Sequence, residues 1–214
     1  MGIIRRTFEY LDSTTFLLLY KALVRPHLEF GNCVWHPYKK KFIEMIENVQ
    51  RRATRLLPGM KNLNYEQRLR TLGLPTLTYR RARGDMIEAF KIVHNKYDSE
   101  VTGNFLSVNT NQSVVKTRGH SLKIQQQYSK IKLRKHSFCV RVAPLWNQLP
   151  NSVVTAPSVQ SFEKRLDYAW NNKPFKFSME LNSDDDATAI LTEGPNELEL
   201  AQEDFGPIAR SGYL

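Results

Sequence analysis

Helix starts and stops recur along most of this chain, and between them the apolar residues return every three or four positions, about one helical turn. Asp12-Ser13-Thr14-Thr15 offers capping oxygens directly before Phe16. Leu17, Tyr20, Leu23 and Val24 then share one face, and Pro26 is expected to kink or interrupt that helix before Leu28–Phe30. A second helix is expected from about Lys39 to Leu57, with Phe42, Met45, Ile46, Val49, Ala53 and Leu56 as its apolar stripe and Pro58-Gly59 as its stop. Asn64 caps a short helix that Gly73 ends. Pro75-Thr76 opens a longer one to about Tyr97, burying Leu77, Met86, Phe90 and Val93. Later helices are expected at about 135–148, with Phe138, Val142, Leu145 and Trp146 inward, and from Ser158 to about Trp170, packing Val159, Phe162 and Leu166. The Gly31–Tyr38 segment, with Trp35 and Pro37, reads as an ordered aromatic corner, and its Trp35–Tyr38 part as a candidate patch for self-association.

This pattern predicts a mainly α fold, a helical bundle with a small β hairpin near Ser121–Gln127, where Leu122, Ile124 and Gln126 alternate. The organisation expected is a helical region over 1–97, a loop or hinge over 98–120, a C-terminal helical subdomain over 121–177 and an acidic tail over 178–214. The tail is poor in aromatics and rich in turn formers, so it is expected to be disordered.

Charge divides at the same place. Thirty of the 31 Lys and Arg precede Ser178, against 12 of the 21 Asp and Glu, leaving the body at +18 and the tail at −8. A body this basic attracts polyanions, nucleic acid before membrane. The apolar run Phe16–Tyr20 is too short to span a bilayer and has no cleavage site after it, so it reads as a buried helix. Cys33 and Cys139 stand far apart with no paired spacing, which argues against a disulfide framework or a zinc knuckle and for a reducing intracellular home.

Catalytic patterns are missing. The Asp184-Asp185-Asp186 cluster has no apolar strand before it to hold a metal, and the five histidines lack ligand spacing. There is no nucleophile elbow and no phosphate-cradling glycine loop. Arg83-Gly84-Asp85 spells an adhesion tripeptide but lies mid-helix, where it reads as chance. The expectation is no catalytic residue, no metal site and no cofactor. What remains is three basic groups: Arg51, Arg52 and Arg55; Arg80, Arg81 and Arg83; and Lys130, Lys132, Arg134, Lys135 and Arg141. Arginines clear of an apolar stripe can follow a phosphate backbone whatever its base sequence.

The order of short motifs adds a family. Leu19-Tyr20-Lys21-Ala22-Leu23-Val24-Arg25-Pro26-His27-Leu28-Glu29-Phe30-Gly31, Val34-Trp35-His36-Pro37-Tyr38 and Ile46-Glu47-Asn48-Val49-Gln50-Arg51-Arg52-Ala53-Thr54-Arg55-Leu56 come first. Tyr65-Glu66-Gln67-Arg68-Leu69, Leu72-Gly73-Leu74-Pro75, Tyr79-Arg80-Arg81-Ala82-Arg83-Gly84-Asp85-Met86, Arg141–Pro150 and Ala156–Phe162 follow. The run, over about residues 10–175, resembles the region behind the palm of animal non-LTR (LINE-type, Jockey-like) retrotransposon reverse transcriptases, which are RNA-directed DNA polymerases. The resemblance implies a helical thumb and post-thumb region that touches the template–primer duplex. It makes Gln50, Arg51, Arg52, Arg55, Arg80, Arg81 and Arg83 candidates for backbone contact. The family's endonuclease and the palm with its paired metal-binding aspartates have no counterpart in these residues, so the resemblance implies a non-enzymatic nucleic-acid-binding fragment, nuclear by family and basicity. Its expected partners are an RNA–DNA hybrid or duplex, a second copy, or a palm-bearing chain, with no membrane. Two other readings stay open at this point: a domesticated interaction or regulatory protein, and an inert transposon remnant.

Overall fold

The computed structural model describes residues 2–8, 10–103, 105–108, 119–173 and 176–178. The tail beyond Ser178, including Asp184–Asp186, and residues 109–118 of the expected hinge lie outside the described residues. The described chain is mainly helical: α1 (Gly2–Thr7), α2 (Ser13–Leu19), a π-helical turn (Tyr20–Val24), α3 (Arg25–Glu29), α4 (Lys40–Thr54), α5 (Tyr65–Leu72) and α6 (Leu77–Val93). After these come α7 (Ser99–Thr102), α8 (Lys132–Lys135), α9 (Phe138–Asn147), α10 (Asn151–Val154) and α11 (Val159–Ala169).

Caps set most of these boundaries. Asp12 accepts from the amides of Thr14 and Thr15 at 3.0 and 3.3 Å and starts α2. Asn64 and Gln67 form a reciprocal capping box on α5, and Gly73, at φ +60°, closes it. Thr76 caps α6 through the Tyr79 amide, and Ser158 caps α11 through the Ser161 amide. Pro26 does not break the first helical run. The π-helical turn before it carries the chain into α3, with Pro26 near its N-terminus, where the missing N–H does no harm. That wider turn also shifts the side-chain register. Phe16 and Tyr20 are fully buried, whereas Leu23, expected on the same face, is 54% exposed.

The α4 stripe requires a second correction. Its buried face is Ile43, Glu47, Gln50, Ala53 and Thr54, while Phe42 and Met45 point to solvent. The inward face of this helix is partly polar, and counting apolar residues passes over it.

Two apolar cores result. One gathers Phe16, Tyr20, Ala53, Leu57, Met60, Leu69, Leu72 and Leu74. The other joins the face of α6 from Tyr79 to Phe90 to Val142 and Trp146 of α9, Val153 and Val154 of α10, and Phe162 and Leu166 of α11. Phe90 and Phe162 stack at 4.4 Å between centroids, and Trp146 lies 6.0 Å from Phe162. Burying rings of this kind stabilises by roughly 1.5–3 kcal/mol each. Of the expected hairpin, the described residues show a single antiparallel bridge between Val108 and Ile124, supported by Gln125 N–H donating to Ser107 O at 2.9 Å. Asn147 holds the Ile124 backbone like a neighbouring strand, accepting from its N–H and donating to its carbonyl, both at 2.9 Å.

Candidate nucleic-acid interface

Once folded, the basic residues separate according to the carboxylates that reach them. Gln50 is buried on α4 and its three side-chain bonds are internal. It accepts from Tyr20 Oη at 2.7 Å and donates to Tyr65 Oη at 3.1 Å and to Pro75 O at 3.0 Å. One turn earlier, Glu47 accepts from Tyr65 Oη at 2.5 Å and from the Leu77 amide at 3.0 Å, at the positive end of α6. Burial pushes the Glu47 carboxyl up, against the pull of the Tyr65 hydroxyl and the α6 amides. Burial likewise raises the phenols of Tyr20 and Tyr65, and the Glu47 charge adds to it. Gln50 is thus a pin between elements, with no group left to present to a phosphate.

Arg81 and Arg141 are also internal. Asp85, 3% exposed, takes Arg141 Nε at 2.9 Å on one oxygen and Arg141 Nη2 at 3.0 Å on the other. Asn32 Nδ2 donates to the same carboxylate at 2.8 Å and to Arg81 O at 2.7 Å. Arg81 donates to Leu28 O at 2.5 Å and lies over the Trp35 ring at 4.2 Å. Gly84 lies against Asn32, since a Cβ there would stand in van der Waals contact with Asn32 Nδ2 at 3.4 Å. The Arg83-Gly84-Asp85 tripeptide is therefore inside α6 and tied into packing. His36 closes the cluster, its Nδ1 3.8 Å from Asp85 Oδ2. Burial, then the Arg141 and Arg81 charges, pushes the imidazole down to about 3, so it is neutral in the fold. The expected aromatic corner is this structure. Tyr38 stacks on His136 at 4.3 Å, and Trp35 Nε1 donates to Phe30 O at 2.8 Å.

Arg80 and Arg83 lie nearer the surface and are paired. Arg80 meets both oxygens of Glu29 at 2.6 and 2.8 Å. Arg83 meets both oxygens of Asp167 at 2.5 and 2.9 Å and Glu163 at 3.2 Å, which raises its guanidinium further. These pairs join α6 to α3 and to α11.

Two groups remain turned outward. Arg52 and Arg55 are exposed at the C-terminal end of α4, and among the described residues no carboxylate pairs with either. Arg51 beside them donates to Asn48 Oδ1 at 3.1 Å and lies 4.9 Å from the Tyr65 ring centre. The second group is α8, where Lys132, Arg134 and Lys135 are exposed next to Tyr128, Ile131 and Leu133, themselves 87, 66 and 72% exposed. Cations alternating with solvent-facing aromatic and aliphatic side chains can meet a backbone and a base face together.

One residue not singled out from sequence belongs with the first group. Arg68, on α5, is 1% exposed and reaches α4 through Thr54 Oγ1 at 3.0 Å. Its advance signals are its place in the Tyr65–Leu69 motif and its position four residues after the Asn64 cap, on the inward face of α5. Among the described residues no three His, Cys, Asp or Glu gather as metal ligands, both cysteines are free, and no helix is long and apolar enough to cross a membrane. Set against family models, curated proteins and solved structures, the chain matches none of them.

Proposed function

We propose that this chain is a non-catalytic nucleic-acid-binding module, descended from the thumb and post-thumb region of a non-LTR retrotransposon reverse transcriptase, that grips the phosphate backbone without reading sequence. The observation that carries the reading is the unpaired basic end of α4, where Arg52 and Arg55 face solvent with no carboxylate partner among the described residues. Arginines that served only solubility and packing would be answered by acids, as Arg80 and Arg83 of α6 are. The interface is Arg51, Arg52 and Arg55, with Lys132, Arg134 and Lys135 of α8 as a second contact. Gln50, Arg80, Arg81, Arg83 and Arg141 hold the scaffold that presents them.

The test is fluorescence-anisotropy binding of the full chain to an RNA–DNA hybrid across a salt series. Log affinity should fall linearly with log salt, by roughly 0.9 per phosphate neutralised. The pair Arg52→Glu and Arg55→Glu should abolish binding near physiological salt while the helical circular dichroism stays intact. Wild-type protein that is folded yet does not bind would end the reading.

A second reading, an interaction protein, draws on the outward apolar side chains Phe30, Val34, Phe42 and Met45, which are 80, 89, 47 and 57% exposed. Light scattering over a concentration series separates the two. Self-association that Val34→Asp and Met45→Asp remove, without a change in nucleic-acid affinity, would favour it.

A further inference from the structure

At the end of α4 more positive charge gathers than the fold answers, and two of its N–H groups have nothing to donate to. Arg68 Nε donates to Thr54 Oγ1 at 3.0 Å and Nη1 to Leu63 O at 2.6 Å. A guanidinium is planar, so these two bonds fix the direction of the third nitrogen, Nη2. That nitrogen is buried and has no acceptor, and the same is true of Arg51 Nε. Buried polar groups are nearly always satisfied, and an orphaned charged donor is more costly than a neutral one.

The two donors belong to neighbouring side chains. Thr54, which receives Arg68, stands between Arg51 and Arg55 on the last turn of α4, and its hydroxyl donates to Arg51 O at 3.2 Å. Arg51 and Arg68 both pack against the Tyr65 ring, at 4.9 and 5.6 Å from its centre. Tyr65 is itself locked by Glu47 and Gln50. Among the described residues no carboxylate forms an ion pair with Arg51, Arg55 or Arg68. Burial first, then the neighbouring charges of Arg55 and Arg51, lowers the Arg68 guanidinium below its ordinary value. The carbonyl end of α4 explains part of the gathering, because helix C-termini attract cations. It offers about half a negative charge, against three full positive ones.

We propose that Arg68, Arg51 and Arg55 form a receptor for one phosphate group at the C-terminal turn of α4. Arg68 Nη2 and Arg51 Nε are its fixed donors, and Arg55, exposed and unpaired, closes over the bound group. A phosphate supplies the acceptor oxygens both donors lack and the negative charge the cluster lacks. The inference deepens the nucleic-acid reading and rests on it for the source of the group, a backbone phosphodiester. The exposed arginines then give affinity along the strand, and this site fixes where one phosphate sits.

The experiment uses the full chain with inorganic phosphate as probe, following arginine side-chain N–H signals by ¹H–¹⁵N NMR at constant ionic strength set with chloride. Arg51 Nε–H and the Arg68 signals should shift saturably with phosphate and stay still with chloride. Arg55→Ala, at an exposed position, and Arg68→Lys, which keeps the charge, should each weaken phosphate binding by about tenfold, the loss expected of a charged hydrogen bond. Unchanged backbone spectra establish that both variants fold. No saturable shift, or one that both variants retain, overturns the site. Competition with a short RNA–DNA hybrid separates the two proposals. Phosphate binding that the hybrid does not displace supports the site and sinks the nucleic-acid reading. Hybrid binding that Arg55→Ala weakens and Arg68→Lys leaves unchanged supports that reading and sinks the site.

Discussion

Two helices in this protein carry an arginine triplet, and the two triplets have opposite surroundings. On α6, Arg80 is met by Glu29, Arg81 by Asn32 and the Leu28 carbonyl, and Arg83 by Asp167 with Glu163. On α4, Arg51, Arg52 and Arg55 are joined by a fourth arginine, Arg68, and among the described residues no acid forms an ion pair with them. In the first case the carboxylates come from positions 51 to 84 residues away. Spacing along a helix says that arginines share a face. The rest of the fold decides whether that face is already occupied.

The contrast fails or sharpens on measurements that separate stability from binding. The largest effect is expected at the buried pair. Arg141→Ala leaves Asp85 buried and short of its main partner, so urea unfolding should show a loss of about 3–5 kcal/mol. A loss well under 1 kcal/mol would mean the cluster is wetter than its geometry implies. Next comes acid. The His36 imidazole stays neutral in the fold down to about 3, whereas the unfolded chain takes up that proton near 6.5. The unfolded state therefore binds more protons between those values, so stability is complete above pH 6.5 and falls as pH drops, by about 2 kcal/mol at pH 5. His36→Gln should flatten that slope, and equal slopes in the two proteins would clear His36 as the cause.

Smaller effects test the surface pairs. Arg83→Ala removes two partly exposed ion pairs and should cost about 1 kcal/mol while leaving nucleic-acid affinity unchanged. Arg52→Ala should do the reverse. Stability should stay within about 0.5 kcal/mol, and the log–log salt slope of binding should shrink by roughly one. If Arg83→Ala weakened binding as much as Arg52→Ala, the division between scaffold and interface would collapse.

Much of the helical layout is legible in the sequence because caps are local. Asn64, Gln67 and Gly73 define α5 within ten residues, and Thr76 and Ser158 mark the starts of α6 and α11. The inner faces are less legible. Glu47 and Gln50 are buried by bonds to Tyr20, Tyr65, Pro75 and Leu77, and polarity hides them from any apolar count. Leu23 turns outward because of a π-helical turn that no propensity marks. The basic clusters were visible as charge. That Arg81 and Arg141 are internal, and that Arg68 stands with the α4 arginines, depends on partners 14 to 109 residues away.

The position of α6 in chain order bears on how the protein is made. Its inner side, Met86 and Phe90, is covered by Trp146, Phe162 and Leu166, and Arg141 Nη2 reaches back to Asn32 O at 3.0 Å. A ribosome adding about 5–20 residues each second therefore leaves α6 without its cover for roughly 4–16 s after Met86 emerges. Through that interval the first half of the chain carries an apolar stripe and an unanswered Asp85. Stalled or shortened products ending before α9 should be substrates for chaperones and proteases, and the finished chain should not.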